Sequence, residues 1–173
     1  MKFNHLSVFF IIVLSFFGTA QELVYELDFE DQTVGTEITK RNTLRFQGWN
    51  KSVWTVEQEE VNKVATSTTQ AKVFLIKSFD VTPGNRYLWT LETKAVNNGP
   101  AWKRTHVLSV VCGKGGESQQ LIKENIAEPM NGTWTSSSLD FTVPQNKSEV
   151  TLQLFRFADG TTLSIDNYKL FKL

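Results

Sequence analysis

The chain has 173 residues, 40% of them hydrophobic, and its 18 basic and 18 acidic side chains leave no net charge at pH 7. This balance gives no electrostatic basis for binding nucleic acid or an anionic membrane surface. The sequence holds a single cysteine, Cys112, so it cannot form an intrachain disulfide, and its stability must come from a hydrophobic core.

The first twenty residues have the pattern of a secretory signal peptide. Lys2 is followed by an apolar run from Leu6 to Phe17 and then by the small residues Gly18-Thr19-Ala20. The run is too short to favour a permanent membrane anchor. We therefore expect cleavage after Ala20 and export to the extracellular space or periplasm. We also expect one folded domain over residues 21–173, with no membrane span and a monomeric state.

The remainder of the chain is a series of short strands separated by turns, with no convincing helical period. The main predicted turns are Pro83-Gly84-Asn85, Asn97-Asn98-Gly99-Pro100 and Asp159-Gly160. This regular spacing predicts an all-β sandwich or jelly roll. The strands are predicted at Leu23–Glu30, Phe46–Val56, Lys63–Ser67, Lys72–Phe79, Tyr87–Lys94, Thr105–Cys112, Ser118–Ile122, Trp134–Val143, Val150–Phe157 and Thr161–Leu173.

The first predicted strand alternates between two kinds of side chain. Apolar residues from Leu23 to Phe29 occupy one face, and Glu26, Asp28 and Glu30 occupy the other. The strand is therefore expected to bury one face and to present a row of carboxylates on the other.

The last predicted strand carries a second acidic position. Its apolar alternation changes phase at Asp166-Asn167, which predicts a β-bulge there. If the first and last strands are neighbours, the fold closes on itself and the carboxylates of both strands meet.

Five short motifs occur in a recognisable order along the chain. They are Asp28-Phe29-Glu30-Asp31, Gly48-Trp49, Val81-Thr82-Pro83-Gly84-Asn85-Arg86-Tyr87, Trp134 with the later Asp140-Phe141-Thr142-Val143-Pro144, and Leu163-Ser164-Ile165-Asp166-Asn167-Tyr168-Lys169-Leu170. This order resembles the carbohydrate-binding modules of families 4, 9 and 22, which are attached to bacterial cellulases and xylanases. The resemblance spans most of residues 21–173. It implies a galactose-binding-like jelly roll and a non-catalytic module that recognises a polysaccharide or an oligosaccharide.

The same resemblance implies a structural calcium ion between the first and last strands. Carried onto this chain, its carboxylate ligands are Asp28 or Glu30 together with Asp166. Calcium takes six to eight oxygen ligands, so these side chains would supply only part of its coordination. The alternative interpretation is a solvated strand face and an Asp-Asn turn.

Sugar binding requires flat aromatic surfaces beside polar groups. Trp102 is the first candidate, because it follows the turn at Asn98-Gly99-Pro100 and precedes Lys103-Arg104. Trp54 is a second candidate whose face the pattern does not settle. The expected polar partners are Arg104, Glu92 and Arg156. The remaining tryptophans, Trp49, Trp89 and Trp134, are predicted to face the core.

Two other classes of function stay open. A cell-surface adhesion module could use the same fold to bind a protein, since a fold does not fix a function. A jelly-roll polysaccharide lyase or hydrolase is the weaker alternative, in which Arg104, His106 and a tyrosine would work together. No nucleophile elbow or phosphate-binding loop appears, and Cys112 ends an apolar run, so it is expected to be a buried, inert thiol. We therefore expect no enzyme activity.

Overall fold

The computed structural model describes residues 21–38, 45–48, 54–67, 73–97, 106–113, 117–126, 131–156 and 161–173. Twelve β-strands lie within these residues, and every pairing between them is antiparallel. In the same residues no helix is long and apolar enough to cross a membrane. The strands form two sheets that pack against each other, so the predicted all-β sandwich is confirmed.

The larger sheet has seven strands. They are β1 (Glu22–Leu27), β2 (Glu37–Ile38), β4 (Trp54–Glu59), β5 (Asn62–Ser67), β7 (Arg86–Asn97), β10 (Asn131–Thr142) and β12 (Thr161–Lys172). The order across this sheet is β10-β7-β12-β5-β4-β2, and β1 also pairs with β12.

The smaller sheet has five strands. They are β3 (Arg45–Gly48), β6 (Val73–Asp80), β8 (His106–Cys112), β9 (Gln119–Ile126) and β11 (Glu149–Arg156). Their order is β3-β6-β11-β8-β9, which makes β11 the central strand.

The core lies between the two sheets. Alternate residues of the long strands point inward, as in β11, where Leu152 and Leu154 are fully buried. Trp89 on β7 is also fully buried, as predicted, and its ring lies 5.5 Å from that of Tyr168. Removing this apolar surface from water is the main force that holds the sheets together. Cys112 is fully buried in the same core, so the predicted burial of this thiol is confirmed.

Trp134 does not lie in the core, contrary to its prediction. Its residue pair on β7 is Lys94, whose ammonium nitrogen lies 5.2 Å from the centroid of the indole ring. Both side chains therefore lie on the outer face of the seven-stranded sheet, half-buried in a cation–π contact. Trp49 lies outside the described residues.

Strand β12 has three neighbours. It pairs with β7 along its length, with β5 at Leu163–Ile165 and with β1 at Tyr168–Lys172. The predicted meeting of the first and last strands is thereby confirmed. The register against β7 shifts between Asp166 and Lys169, so the predicted bulge is also confirmed. Asn167 has a φ of 48° at this point, a conformation that asparagine tolerates better than most residues.

Strand β1 departs from its predicted alternation. Its register against β12 shifts between Leu23 and Tyr25, which rotates the start of the strand, and Leu23 is 49% exposed. Phe29 is buried as expected, but it lies beyond the end of the strand at a φ of 63°. Unlike the bulge of β12, this one is not marked by a change of phase, because Leu23, Tyr25 and Leu27 keep a spacing of two.

Candidate functional site

The outer face of the five-stranded sheet contains a cavity of about 240 Å³. Six side chains from three adjacent strands line it. They are Val107, Ser109, Gln120, Lys123, Gln153 and Phe155.

The strand register explains why these side chains meet. Leu152 and Leu154 point into the core, so Gln153 and Phe155 between and beyond them point outward. Gln153 is paired with Ser109 on β8, and Phe155 is paired with Val107. The cavity therefore lies over β11, β8 and the edge strand β9, and the backbones of β11 and β8 are held on both sides by neighbouring strands.

A bulge in β9 completes the site. Lys123 pairs with Ser109 and Gln120 pairs with Val111, although the two β9 residues are three positions apart. The register shift between these pairs adds one residue to β9, which brings Gln120 and Lys123 to the same face. An unbroken strand would place them on opposite faces.

The lining combines an apolar wall with hydrogen-bonding groups. Phe155 and Val107 give the wall, whereas the amides of Gln120 and Gln153 can each donate and accept hydrogen bonds. The Ser109 hydroxyl can also do both, and the Lys123 ammonium only donates. Such a surface suits a ligand that has both a hydrocarbon face and many hydroxyl groups.

The predicted ligand-binding residues do not converge on this cavity. Trp102 and Arg104 lie outside the described residues. The backbone of Arg156 pairs with His106 and Val73 at the end of β11, and its side chain lies outside the described part of the structure. Glu92 is on the seven-stranded sheet, where its Oε2 accepts a 2.8 Å hydrogen bond from the side-chain amide of Asn167.

Trp54 requires a correction. Its side chain is fully buried between the sheets, so it has no free ring face against which a ligand could stack. A sequence pattern could not settle this, because the residues before Trp54 do not alternate clearly. His106, one of the two kinds of base that the lyase alternative allows, is also fully buried.

The predicted metal ligands lie on the other side of the sandwich, at the bulge of β12. Asp166 is only 6% exposed, and its Oδ1 accepts a 2.7 Å hydrogen bond from the backbone N–H of Asn167. Burial raises the pKa of Asp166 to about 6; the hydrogen bond from Asn167 lowers this pKa, and repulsion from Glu92, Asp28 and Glu30 raises it further. The four carboxylates therefore share one electrostatic neighbourhood.

Hydrogen bonds within the fold already occupy some oxygens of these carboxylates. Glu30 accepts a 2.8 Å hydrogen bond from the backbone N–H of Lys63 through Oε1, and Asp28 accepts one of 3.2 Å from the backbone N–H of Glu30. Within the described ranges, no group of three or more Asp, Glu, His or Cys side chains is placed to hold a metal ion. All three predicted ligands thus already accept a hydrogen bond from a backbone N–H group.

Similarity to known proteins is found in the three-dimensional structure and not in the sequence. No family model and no curated sequence matches the chain. The CBM22-1 xylan-binding domain of Xyn10C from Paenibacillus barcinonensis is similar in structure, with a TM-score of 0.61 and 15% identity over 88% of this chain and 96% of that domain. The chain has the fold of a carbohydrate-binding module. The resemblance drawn from the sequence motifs is confirmed at the level of fold.

Two further solved structures share this module fold. TmCBM61, determined in complex with β-1,4-galactotriose, has a TM-score of 0.51 and 11% identity over 75% of this chain and 88% of that one. The K3 adhesin domain of Lys-gingipain from Porphyromonas gingivalis has a TM-score of 0.53 and 11% identity over 86% and 98%. The chain also aligns with the enzymatically active domain of a bacteriophage CBA120 tailspike protein, but it spans only 19% of that chain.

The cavity residues were missed by sequence reasoning for two different reasons. Gln153 and Phe155 could have been found, because they occupy the outward positions of a strand whose inward positions are leucines. Gln120 and Lys123 could not, since their shared face depends on the β9 bulge. The prediction instead favoured Trp102 and Trp54 as the aromatic residues that would contact a sugar.

Proposed function

We propose that this protein binds a polysaccharide or oligosaccharide, without acting on it, in the cavity on the five-stranded sheet. The observation that carries the proposal is the lining itself, in which the Phe155 ring lies beside the amides of Gln120 and Gln153 and the Ser109 hydroxyl. Sugar rings pair apolar C–H faces with hydroxyl groups, and this lining offers a partner for each.

The size of the cavity is consistent with this ligand class. Its volume of about 240 Å³ lies just below the roughly 300–1,000 Å³ typical of small-molecule pockets. A cavity of this size suits one sugar unit, with the rest of the glycan running over the sheet surface. The xylan-binding and galactotriose-binding structures with the same fold support a glycan as the ligand.

We also propose that the protein works outside the cytoplasm. The support is the basic, apolar and small-residue pattern of its first twenty residues. Mass spectrometry of the protein recovered from the native host should find a chain that begins at Gln21. Recovery of an uncleaved cytoplasmic chain would contradict this part of the proposal.

A structural cation at the β12 bulge is a further part of the proposal. Asp166 and Asp28 would supply oxygen ligands, and the positive ion would offset the repulsion that raises the pKa of Asp166. Glu30 is a further candidate, and like the other two it has one oxygen that already accepts a backbone hydrogen bond. When bound, the ion would fix the first strand to the last.

Affinity electrophoresis tests the glycan site directly. The protein is run through gels that contain plant, algal or bacterial polysaccharides, beside the variants Phe155→Ala and Gln153→Ala. We expect at least one polysaccharide to retard the wild type. Each variant should lose about tenfold in affinity, the value of one or two kcal/mol of lost contact.

Val61→Ala is the matched control. Val61 is 86% exposed in the turn between β4 and β5, on the other sheet, so its truncation should leave retardation unchanged. Circular dichroism would establish that each variant is folded, and Gln153→Ala covers the case in which Phe155→Ala is unstable. Retardation that survives both cavity variants would move the site elsewhere, with Trp102 and Arg104 as the next residues to change.

Adhesion to a protein is the second candidate function, because an adhesin domain has the same fold. It predicts no retardation by any polysaccharide. It also predicts measurable binding of the folded protein to members of a panel of purified extracellular proteins.

A further inference from the structure

We propose that the glycan held by this cavity is acidic, and that Lys123 contacts its carboxylate or sulfate group. This inference depends on the proposed function, and it specifies the chemical class of the ligand. Lys123 is the one charged residue among the six described side chains that line the cavity.

The described carboxylates of β6, β9 and β11 lie either on the opposite face of the sheet from Lys123 or far from it along the strands. Glu124 follows Lys123 on β9 but pairs with Leu108, an inward position, so it starts from the opposite face of the sheet. Glu149 and Asp80 pair at the far end of β11 and β6. Glu149 is four positions from Gln153, or about 13 Å along an extended strand.

Lys123 also differs from four other lysines of the described residues. Lys94, Lys147, Lys169 and Lys172 each form an ion pair with a glutamate. Lys123 forms none with any described acidic side chain, although it lies beside three uncharged hydrogen-bonding groups. The cavity is thus a polar site with an unbalanced positive charge.

The side chains beside Lys123 can donate hydrogen bonds to the same anion that its ammonium group binds. The ammonium of Lys123 has three donors, and the amides of Gln120 and Gln153 add N–H donors on either side of Ser109. Hydrogen bonds to a charged group are about twice as strong as neutral ones. A neutral sugar would leave the ammonium without a charged partner, whereas a uronic acid or a sulfated sugar would provide one.

Matched pairs of polysaccharides test the inference. De-esterified polygalacturonate is compared with its methyl ester, and a sulfated galactan with the same galactan after desulfation. Affinity is measured by calorimetry for wild type and for Lys123→Gln, at low and at high salt. Lys172→Gln is the control variant, since it removes the same charge from the seven-stranded sheet, away from the cavity.

We expect wild type to prefer one acidic polymer over its neutral counterpart by about tenfold or more, and to lose this preference at high salt. Lys123→Gln should abolish the preference, and Lys172→Gln should keep it. A preference within the polygalacturonate pair would indicate a carboxylate ligand, and a preference within the galactan pair would indicate a sulfate ligand.

Equal affinity for acidic and neutral polymers, with binding still lost in Gln153→Ala, would overturn this inference and leave the proposed function standing. A preference unchanged by Lys123→Gln would also overturn it. Absence of binding to every polymer would count against the proposed function itself.

Discussion

Asp166 shows how the fold places a carboxylate where water cannot fully reach it. Its position on β12 puts it beside Glu92 of β7, while Asp28 and Glu30 approach from the segment after β1. Lys169 is the nearby cation, but it is paired with Glu26 at 2.7 Å. Burial and repulsion together raise the pKa of Asp166 to about 6.

This raised pKa predicts a pH-dependent cost to stability. The folded pKa lies above the ordinary value of 3.8, so the folded state binds the proton more tightly. The cost is absent below about pH 4 and complete above about pH 6. In the presence of a chelator, Asp166→Asn should stabilise the protein by about 2 kcal/mol near neutral pH and have little effect near pH 4. Urea unfolding at both pH values measures the difference.

The same variant tests the proposed cation. Added calcium should raise the midpoint of thermal unfolding of wild type, because a ligand that binds only the folded state stabilises it. Asp166→Asn should lose most of that increase. If calcium at millimolar concentration leaves the unfolding midpoint of wild type unchanged, the cation proposal fails. Asp166 would then be a buried carboxylate that destabilises the folded state near neutral pH.

At the scale of single elements, the bulge of β12 allows one strand to serve two partners on the same side. β5 pairs with its first half and β1 with its second half. Asn167 sits where the change occurs, at a φ of 48°, with its side-chain amide bound to Glu92. Its conformation and its hydrogen bond therefore hold the junction together.

Substitutions at Asn167 should separate these two contributions. Asn167→Gly keeps the backbone conformation and loses the hydrogen bond, which should cost about 1 kcal/mol. Asn167→Ala loses both, and should cost about 1 kcal/mol more. Chemical denaturation gives the two values. Asn125→Ala is the control, because it lies at an exposed position of β9 and should change stability by less than about 0.5 kcal/mol. Equal losses of stability in Asn167→Gly and Asn167→Ala would contradict the argument from backbone conformation.

How far the sequence predicts an element depends on whether one face of it is buried. β7, β11 and β12 were predicted well, because their inward positions carry large apolar residues that only a core can accept. The exposed start of β1 and the position of Trp134 were not, since register shifts and edge strands loosen the link between alternation and burial. The cavity depends on the pairing of β11 with the earlier strand β8 and on the bulge in β9, and no local pattern records either of them.

At the scale of the whole molecule, a single core without a disulfide holds two sheets together. Cys112 lies in that core, at the end of β8 and paired with Val150 of β11. Both residues are fully buried, so a reagent can reach the thiol only when the sheets separate.

The thiol should therefore report on the opening of the sandwich. We expect Cys112 to react with a chromogenic disulfide reagent many times more slowly in the native protein than in urea. The rate should rise in step with the global unfolding curve. Leu152→Ala, which removes a fully buried side chain from β11, should accelerate labelling by weakening the core by about 2–5 kcal/mol. Fast labelling of the native protein would mean that this part of the sheet opens locally.

Because β12 pairs with three strands, the seven-stranded sheet cannot form until β12 has been synthesised. This strand is synthesised after every other described strand, and it is the pairing partner of β7, β5 and β1. Until the ribosome has passed Lys172, the seven-stranded sheet lacks its centre, and the apolar faces of its earlier strands remain without a partner. Pairings as distant as Glu22 with Lys172 are slow to form. The newly made chain is therefore most prone to aggregate before β12 is available for pairing, and a chaperone would matter most in that interval.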